Sequence, residues 1–198
     1  MTKRVLCAFF MVAVVFALSS CGPEEFDKPL SDPQKAAADN SLIGMWHSKK
    51  NDVDYYVVFG ESEETRLMEG ACIGNEKGKG IGVIAFNAFP TYSKKYRYLN
   101  MRMATQATMD TVGSDKAKYS DKYMIARYEV NNNHLRLWYA CNTALHEAVR
   151  NGALKGKING QEHTLTDSAE NLLQFFNNNE SYGGYTVFEE FGEFTKCP

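Results

Sequence analysis

Few residues in this chain are spaced for chemistry. His146-Glu147 opens like the zinc helix His-Glu-x-x-His, where two imidazoles one turn apart grip a metal and the glutamate activates water. Arg150 stands where the second histidine is needed, so we expect no metal site there. His47, His134 and His163 are scattered along the chain. No Gly-x-Ser-x-Gly occurs, which leaves a nucleophile elbow without support. Gly78-Lys79-Gly80-Ile81-Gly82 is glycine-rich and basic, but it precedes an apolar strand. A phosphate cradle needs strand, loop and helix N-terminus in that order, so we read a hairpin turn. Glu189 and Glu190 are adjacent on a strand and therefore point to opposite faces, where they cannot share a substrate. The expectation is a protein that is not an enzyme, with no catalytic residue, no metal and no cofactor.

The cysteines are the remaining reactive groups, and one has a specific context. Lys3 and Arg4 precede an unbroken apolar run from Val5 to Leu18, followed by Ser19, Ser20 and Cys21. A basic n-region, an apolar h-region and small residues are the layout of a secretory signal, and the run falls short of the ~20 residues of a membrane span. Leu18-Ser19-Ser20-Cys21 resembles the lipobox of bacterial lipoproteins. The resemblance implies that residues 1–20 are a signal peptide, and that Cys21 becomes the first mature residue and carries acyl chains. It also implies a membrane attachment through lipid. Gly22, where an Asp would favour inner-membrane retention, makes the outer membrane, facing the periplasm, the expected address.

Removing residues 1–20 takes away Lys3 and Arg4, leaving 20 basic against 24 acidic residues. A mildly acidic chain has no electrostatic reason to seek nucleic acid. Residues 21–40 read as a lipidated cysteine and flexible tether: Pro23, Pro29 and Pro33 interrupt regular structure, and five acidic residues keep it solvated. Extended, it would reach roughly 60 Å. Export implies an oxidising compartment, so one disulfide is expected among Cys72, Cys141 and Cys197, with three pairings open.

Residues 41–198 read as one β-rich domain. Strands are expected from Leu42 to Trp46, Val53 to Phe59, Thr65 to Ile73 and Ile81 to Phe89, the last ended by Pro90. Tyr96 to Met103 alternates, with Leu99, Met101 and Met103 on one face. Ala104 to Asp121 is a long polar loop: a lid, a partner-binding loop or a solvated insert. Lys122 to Val130 and Leu135 to Cys141 flank Asn131-Asn132-Asn133 as a hairpin, with Leu135, Leu137, Tyr139 and Cys141 facing one way and Arg136 and Trp138 the other. Two helices follow, about Thr143 to Arg150 and Ser168 to Asn177, with a hairpin at Asn159-Gly160 between them. Tyr185 to Thr195 is the final strand.

Strands without strand–helix alternation argue for an antiparallel barrel or strongly bent sheet with two short late helices. Gly44-Met45-Trp46 on the first strand resembles the Gly-x-Trp of lipocalins and their calycin relatives. In that family the Trp closes one end of the barrel beneath a cavity. Trp46, Tyr56, Phe86, Met101, Tyr128 and Trp138 are the candidate lining for a small apolar or lipidic ligand; the same residue types would equally fill a solid core. Two functions follow: a non-enzymatic lipocalin-like binding module, or an inhibitor or immunity-type lipoprotein that blocks a toxin or enzyme in the periplasm.

Overall fold

The structure is a computed structural model that describes residues 24–50, 53–63, 65–76, 78, 80–105, 118–159 and 162–198. The signal segment and Cys21 lie outside the described residues, as do residues 106–117 of the long loop.

Alternation of apolar and polar residues gives a row of strands: β1 (Gly44–Lys50), β2 (Val53–Glu61), β3 (Met68–Glu76), β4 (Gly80–Tyr92), β5 (Arg97–Met103), β6 (Met124–Asn131) and β7 (His134–Ala140). An insertion follows, with helix α1 (Asn142–Arg150), hairpin β8 (Gly156–Asn159) and β9 (Glu162–Leu165), helix α2 (Ala169–Asn178), and hairpin β10 (Ser181–Tyr182) and β11 (Tyr185–Thr186). The last strand, β12 (Phe188–Lys196), pairs with both β7 and β1. The eight strands β1–β7 and β12 form a closed antiparallel barrel, the fold class expected, with both helices between its seventh and eighth strands.

The barrel has two distinct ends. One receives the β2–β3, β4–β5 and β6–β7 turns. The other receives the β1–β2 and β3–β4 turns, the stem of the long loop, and the insertion. There are also two cores, because the wall is covered on both faces along part of its circumference. Inside the barrel pack Trp46, Val57, Phe59, Met68, Phe86, Leu99, Tyr128, Leu135 and Phe194. Outside it, Leu145, Leu172 and Phe176 of the helices pack on Tyr98, Ile125 and Phe188 of the wall. The Phe176 ring meets Phe188 at 4.9 Å and Tyr98 at 5.9 Å. Arg127 clasps this second layer. Its guanidinium sits 4.7 Å over the rings of both Tyr96 and Trp138 and pairs with Glu180 at 3.2 Å. Hydrogen bonds from Tyr96 and Lys95, with Arg127 adding to them, hold the Glu180 carboxyl down at about 2.

Local signals explain most boundaries. Asn132 takes φ 54 in the β6–β7 turn, a left-handed conformation asparagine tolerates. Ser168 accepts from Asn171 N and starts α2, while Asp167 accepts from Lys155 N and Ser168 N. Gly152 at φ 73 ends the turn after α1. Two strands depart from expectation. β4 runs through Pro90 to Tyr92, because β3 has ended by then and the strand is an edge on that side, where proline is tolerated. The expected final strand is split, with Tyr185–Thr186 in a separate hairpin and a register shift between Glu190 and Gly192.

The expected tether is the largest correction. From Glu24 the chain is docked on the barrel: Glu24, Phe26 and Leu30 are buried. Phe26 N–H donates to Tyr123 O and Tyr123 N–H to Phe26 O, both at 2.9 Å. Leu30 N–H reaches Asn100 Oδ1 at 2.7 Å, and Ser31 Oγ meets Thr91 Oγ1 at 2.6 Å. The prolines do prevent strand or long helix, leaving one 3₁₀ turn at Pro33–Lys35. They do not prevent burial, because backbone groups find partners in the wall. A Phe26→Ala chain should lose about 2–3 kcal/mol in a urea melt, below the 3–5 of a closed core site because this segment can detach locally. A free tether would show no change.

No disulfide joins the described cysteines Cys72, Cys141 and Cys197. Cys72 faces the interior from β3. Cys141 precedes α1 at one end of the barrel, its Sγ 3.1 Å from Glu189 Oε1. Cys197 follows β12 at the other end, a strand length of about 30 Å away, whereas a bridge needs Cα atoms within about 7 Å.

Candidate functional site

The register assigns every barrel residue to a face. Along one inward-facing row, Tyr55 on β2 is opposite Gly74 on β3, which is opposite Gly82 on β4. In the next row Val57 is opposite Cys72, and Cys72 opposite Ile84. Two glycines side by side on the inner wall contribute no side chains. A Cβ built on Gly74 would meet only the Tyr55 ring, at 3.8 Å. Gly70, two inward rows below Gly74, is the opposite case: a Cβ there would come within 2.3 Å of Val58 O and 2.6 Å of the Phe86 ring. The interior is therefore packed around Gly70 and roomy around Gly74.

Burial follows the same gradient. Trp46, Phe86, Leu99 and Leu135, toward the first end, are wholly or almost wholly buried. Tyr55, Cys72, Met101 and Met103, toward the other, belong to the interior cluster but stay only partly buried. The seam between β1 and β12 is also short, Trp46 against Lys196 and His47 against Thr195, with no further pairing toward the second end. Among the described residues the interior is thus sealed at one end and less filled at the other.

The closed end is sealed by a polar knot above Trp46. The Trp46 indole N–H donates to Leu42 O at 2.7 Å, and the Lys196 ammonium lies 5.2 Å over its ring. Tyr128 O–H donates to Asp39 Oδ2 at 2.7 Å, and Ser41 N–H and Oγ donate to Asp39 Oδ1. Burial acts to raise the Asp39 carboxyl, but these hydrogen bonds outweigh it and hold the group below its ordinary value. Burial and the bond to Asp39 push the Tyr128 hydroxyl upward.

Of the six residues proposed for a ligand, the structure puts four inside. Met101 lines the open half. Phe86 lies mid-barrel against Gly70, and Trp46 and Tyr128 are at the closed end. Tyr56 and Trp138 are on the outer face. Tyr56 stacks on His47 at 4.7 Å, and Trp138 lies under Arg127. A half-open cleft of about 560 Å³ outside the closed end does bring Tyr128 and Trp138 together, but Lys94, Lys95, Arg97 and Glu129 also line it, which does not suit an apolar guest. Sequence reasoning missed Tyr55, Cys72, Gly74 and Gly82. Their signal is the run of small residues at every second position of β3 (Gly70, Cys72, Gly74), which marks a wall that does not fill its own barrel.

At the mouth the lining turns polar. Glu189 and Tyr139 are register partners on the inner side, and Tyr139 O–H donates to Glu189 Oε2 at 2.7 Å. Elsewhere, Glu147 of the incomplete zinc pattern pairs with Arg150 at 3.0 Å. Among the described residues no group of His, Cys, Asp and Glu could hold a metal ion, and no helix is long and apolar enough to cross a membrane.

Cys72 lies on the inner wall of the less filled half. Its surface is partly accessible, yet burial pushes its thiol up to about 12. The thiolate is the nucleophile. Native Cys72 should therefore react with iodoacetamide at pH 8 about a thousandfold more slowly than the unfolded thiol, whose ordinary value is 9.0. Because the fold holds this proton more tightly, the contribution to stability is full below pH 9 and is lost as pH rises toward 12. Peptide mapping of alkylation between pH 8 and pH 11 checks the first point.

Set against models of protein families, curated proteins and solved structures, the chain finds no match, so the geometry of this half-open barrel alone carries the functional reading.

Proposed function

We propose that this protein is a non-enzymatic envelope lipoprotein, fixed through acyl chains on Cys21 to a bacterial membrane, whose barrel binds a small apolar or lipidic ligand. The observation that carries the reading is the inward pair Gly74 and Gly82, with partly buried Tyr55 opposite and Cys72 in the next inward row, and partly buried Met103 and Met101 further along the wall. Apolar walls with few polar groups are the usual makeup of such sites. The lipobox at Leu18 to Cys21 supports the anchor, and Gly22 after it supports the outer membrane, on the periplasmic side.

The test is titration of a chain starting at Gly22 with N-phenyl-1-naphthylamine, an uncharged probe that brightens in apolar surroundings. Saturable brightening at one probe per chain supports the reading. Absence of binding, together with no hydrophobe in an organic extract of the purified protein, removes it.

The mouth also discriminates by charge. Glu189 places a carboxylate where the polar end of an amphiphile would rest, which favours neutral heads over anionic ones. At 4 Å a like-charge pair costs between about 1 and 4 kcal/mol, depending on solvent access. Glu189 is half-buried, so the lower part of that range applies. Glu189→Gln should therefore tighten palmitate binding about tenfold and leave a monoglyceride nearly unchanged, as read by competition against the same probe.

A further inference from the structure

We infer that the barrel rides mouth-down on the leaflet that holds Cys21, so that ligand passes between cavity and bilayer without crossing bulk water. This rests on the lipid anchor and hollow barrel proposed above and adds an orientation to them.

The course of the N-terminal segment carries the inference. Phe26 is bridged to Tyr123, immediately before β6 begins at the open end, and Leu165 N–H donates to Glu25 O on its other side. From there the chain descends the outer wall through Leu30 on Asn100 and Ser31 on Thr91, and reaches Asp39 and Leu42 at the closed end. Residues 24–42 thus run along the barrel from mouth to base, with the start at the mouth. Only Gly22 and Pro23 separate Glu24 from Cys21. Three residue steps span at most about 11 Å, while a nine-residue strand is about 30 Å long. A lipid on Cys21 therefore holds the mouth, and not the base, close to the membrane.

The rest of the rim suits that surface. A quarter-turn around the mouth from β6, Ile81 and Val83 on β4 are 62% and 44% exposed, and nearly opposite β6, Lys49 and Lys50 end β1 as exposed cations. Apolar side chains and lysines at separate points of one rim match the acyl boundary and anionic headgroups of a phospholipid leaflet. Contacts on both sides of the opening favour a mouth-down posture over a barrel lying on its wall.

The test uses the full lipidated chain in phosphatidylcholine–phosphatidylglycerol vesicles containing brominated lipid, a short-range quencher of tryptophan. Two variants place the reporter: Ile81→Trp at the rim and Glu63→Trp in the β2–β3 turn at the far end. A rim seated about 5–10 Å into the interface should cost Ile81→Trp about half its added emission, with Glu63→Trp unchanged. A Gly-Ser linker of about 20 residues inserted after Pro23, reaching roughly 25 Å, should relieve that quenching. Equal quenching at both positions, or quenching of Glu63→Trp alone, overturns the orientation. Vesicle flotation and probe binding by the same samples report anchor and cavity separately. A chain that floats and binds probe without rim quenching refutes the orientation alone. A chain that does not float refutes the anchor and this inference with it.

Discussion

A Gly74→Leu chain is expected to fold at least as well as the parent and to lose its apolar ligand. Glycine in a strand gives up backbone entropy on folding, so replacing it by a residue that fits gains about 0.5–1 kcal/mol. Leu is the chosen probe because a Cβ built on Gly74 meets, within 4 Å among the described residues, only the Tyr55 ring, at 3.8 Å. The new side chain displaces about four methylene-sized groups of any guest, each contributing about 0.8 kcal/mol, so affinity should fall about a hundredfold. A solid core responds in the other direction, because overpacking costs about 1–3 kcal/mol. Thermal melting with a probe titration on the same sample separates the two. Gly70 supplies the internal contrast, because Val58 O and the Phe86 ring already occupy the space a side chain would need.

Trp46→Ala should be the most damaging single change to stability. Trp46 is fully buried at the closed end, donates to Leu42 O and lies beneath the Lys196 ammonium. Truncation of a buried aromatic to alanine costs about 3–5 kcal/mol. For a domain of this size that lowers the melting temperature by roughly 10–15 °C. Trp46→Phe keeps most of the volume but leaves the Leu42 carbonyl without its indole donor, which costs about 1–3 kcal/mol. A calorimetric series of parent, Phe and Ala should descend in that order. Equal melting temperatures for parent and Ala would mean that Trp46 does not plug the barrel.

How much of this was legible in the residues depended on range. Period-two alternation assigned Leu99, Met101 and Met103, and Leu135, Leu137 and Tyr139, to shared faces, and these are the faces that line the barrel. The asparagines at 131–133 marked the β6–β7 turn, and Gly-x-Trp marked the strand that carries the plug. Closure was not legible locally, because β1 and β12 are separated by most of the chain. Nor was the choice between two cores. Trp138 and Tyr56 have the chemistry of buried residues, but aromatic type does not say which face of a wall it will cover, and a covering insertion gave Trp138 an apolar home outside. The segment from Glu24 misled for a related reason. Its prolines and acids read as solvated, while Phe26 and Leu30 are spaced to settle on the outer wall. The cysteines could not be paired or excluded until strand direction placed Cys141 and Cys197 at opposite ends.

The central claim is that the open half of this barrel is a cavity that admits an apolar molecule. Native mass spectrometry of the chain from Gly22, incubated with a neutral monoglyceride, addresses it most directly. The account predicts one bound equivalent on the parent chain, displaced by N-phenyl-1-naphthylamine and absent from Gly74→Leu. A parent chain that flies empty, or a Gly74→Leu chain that binds as the parent does, would contradict it.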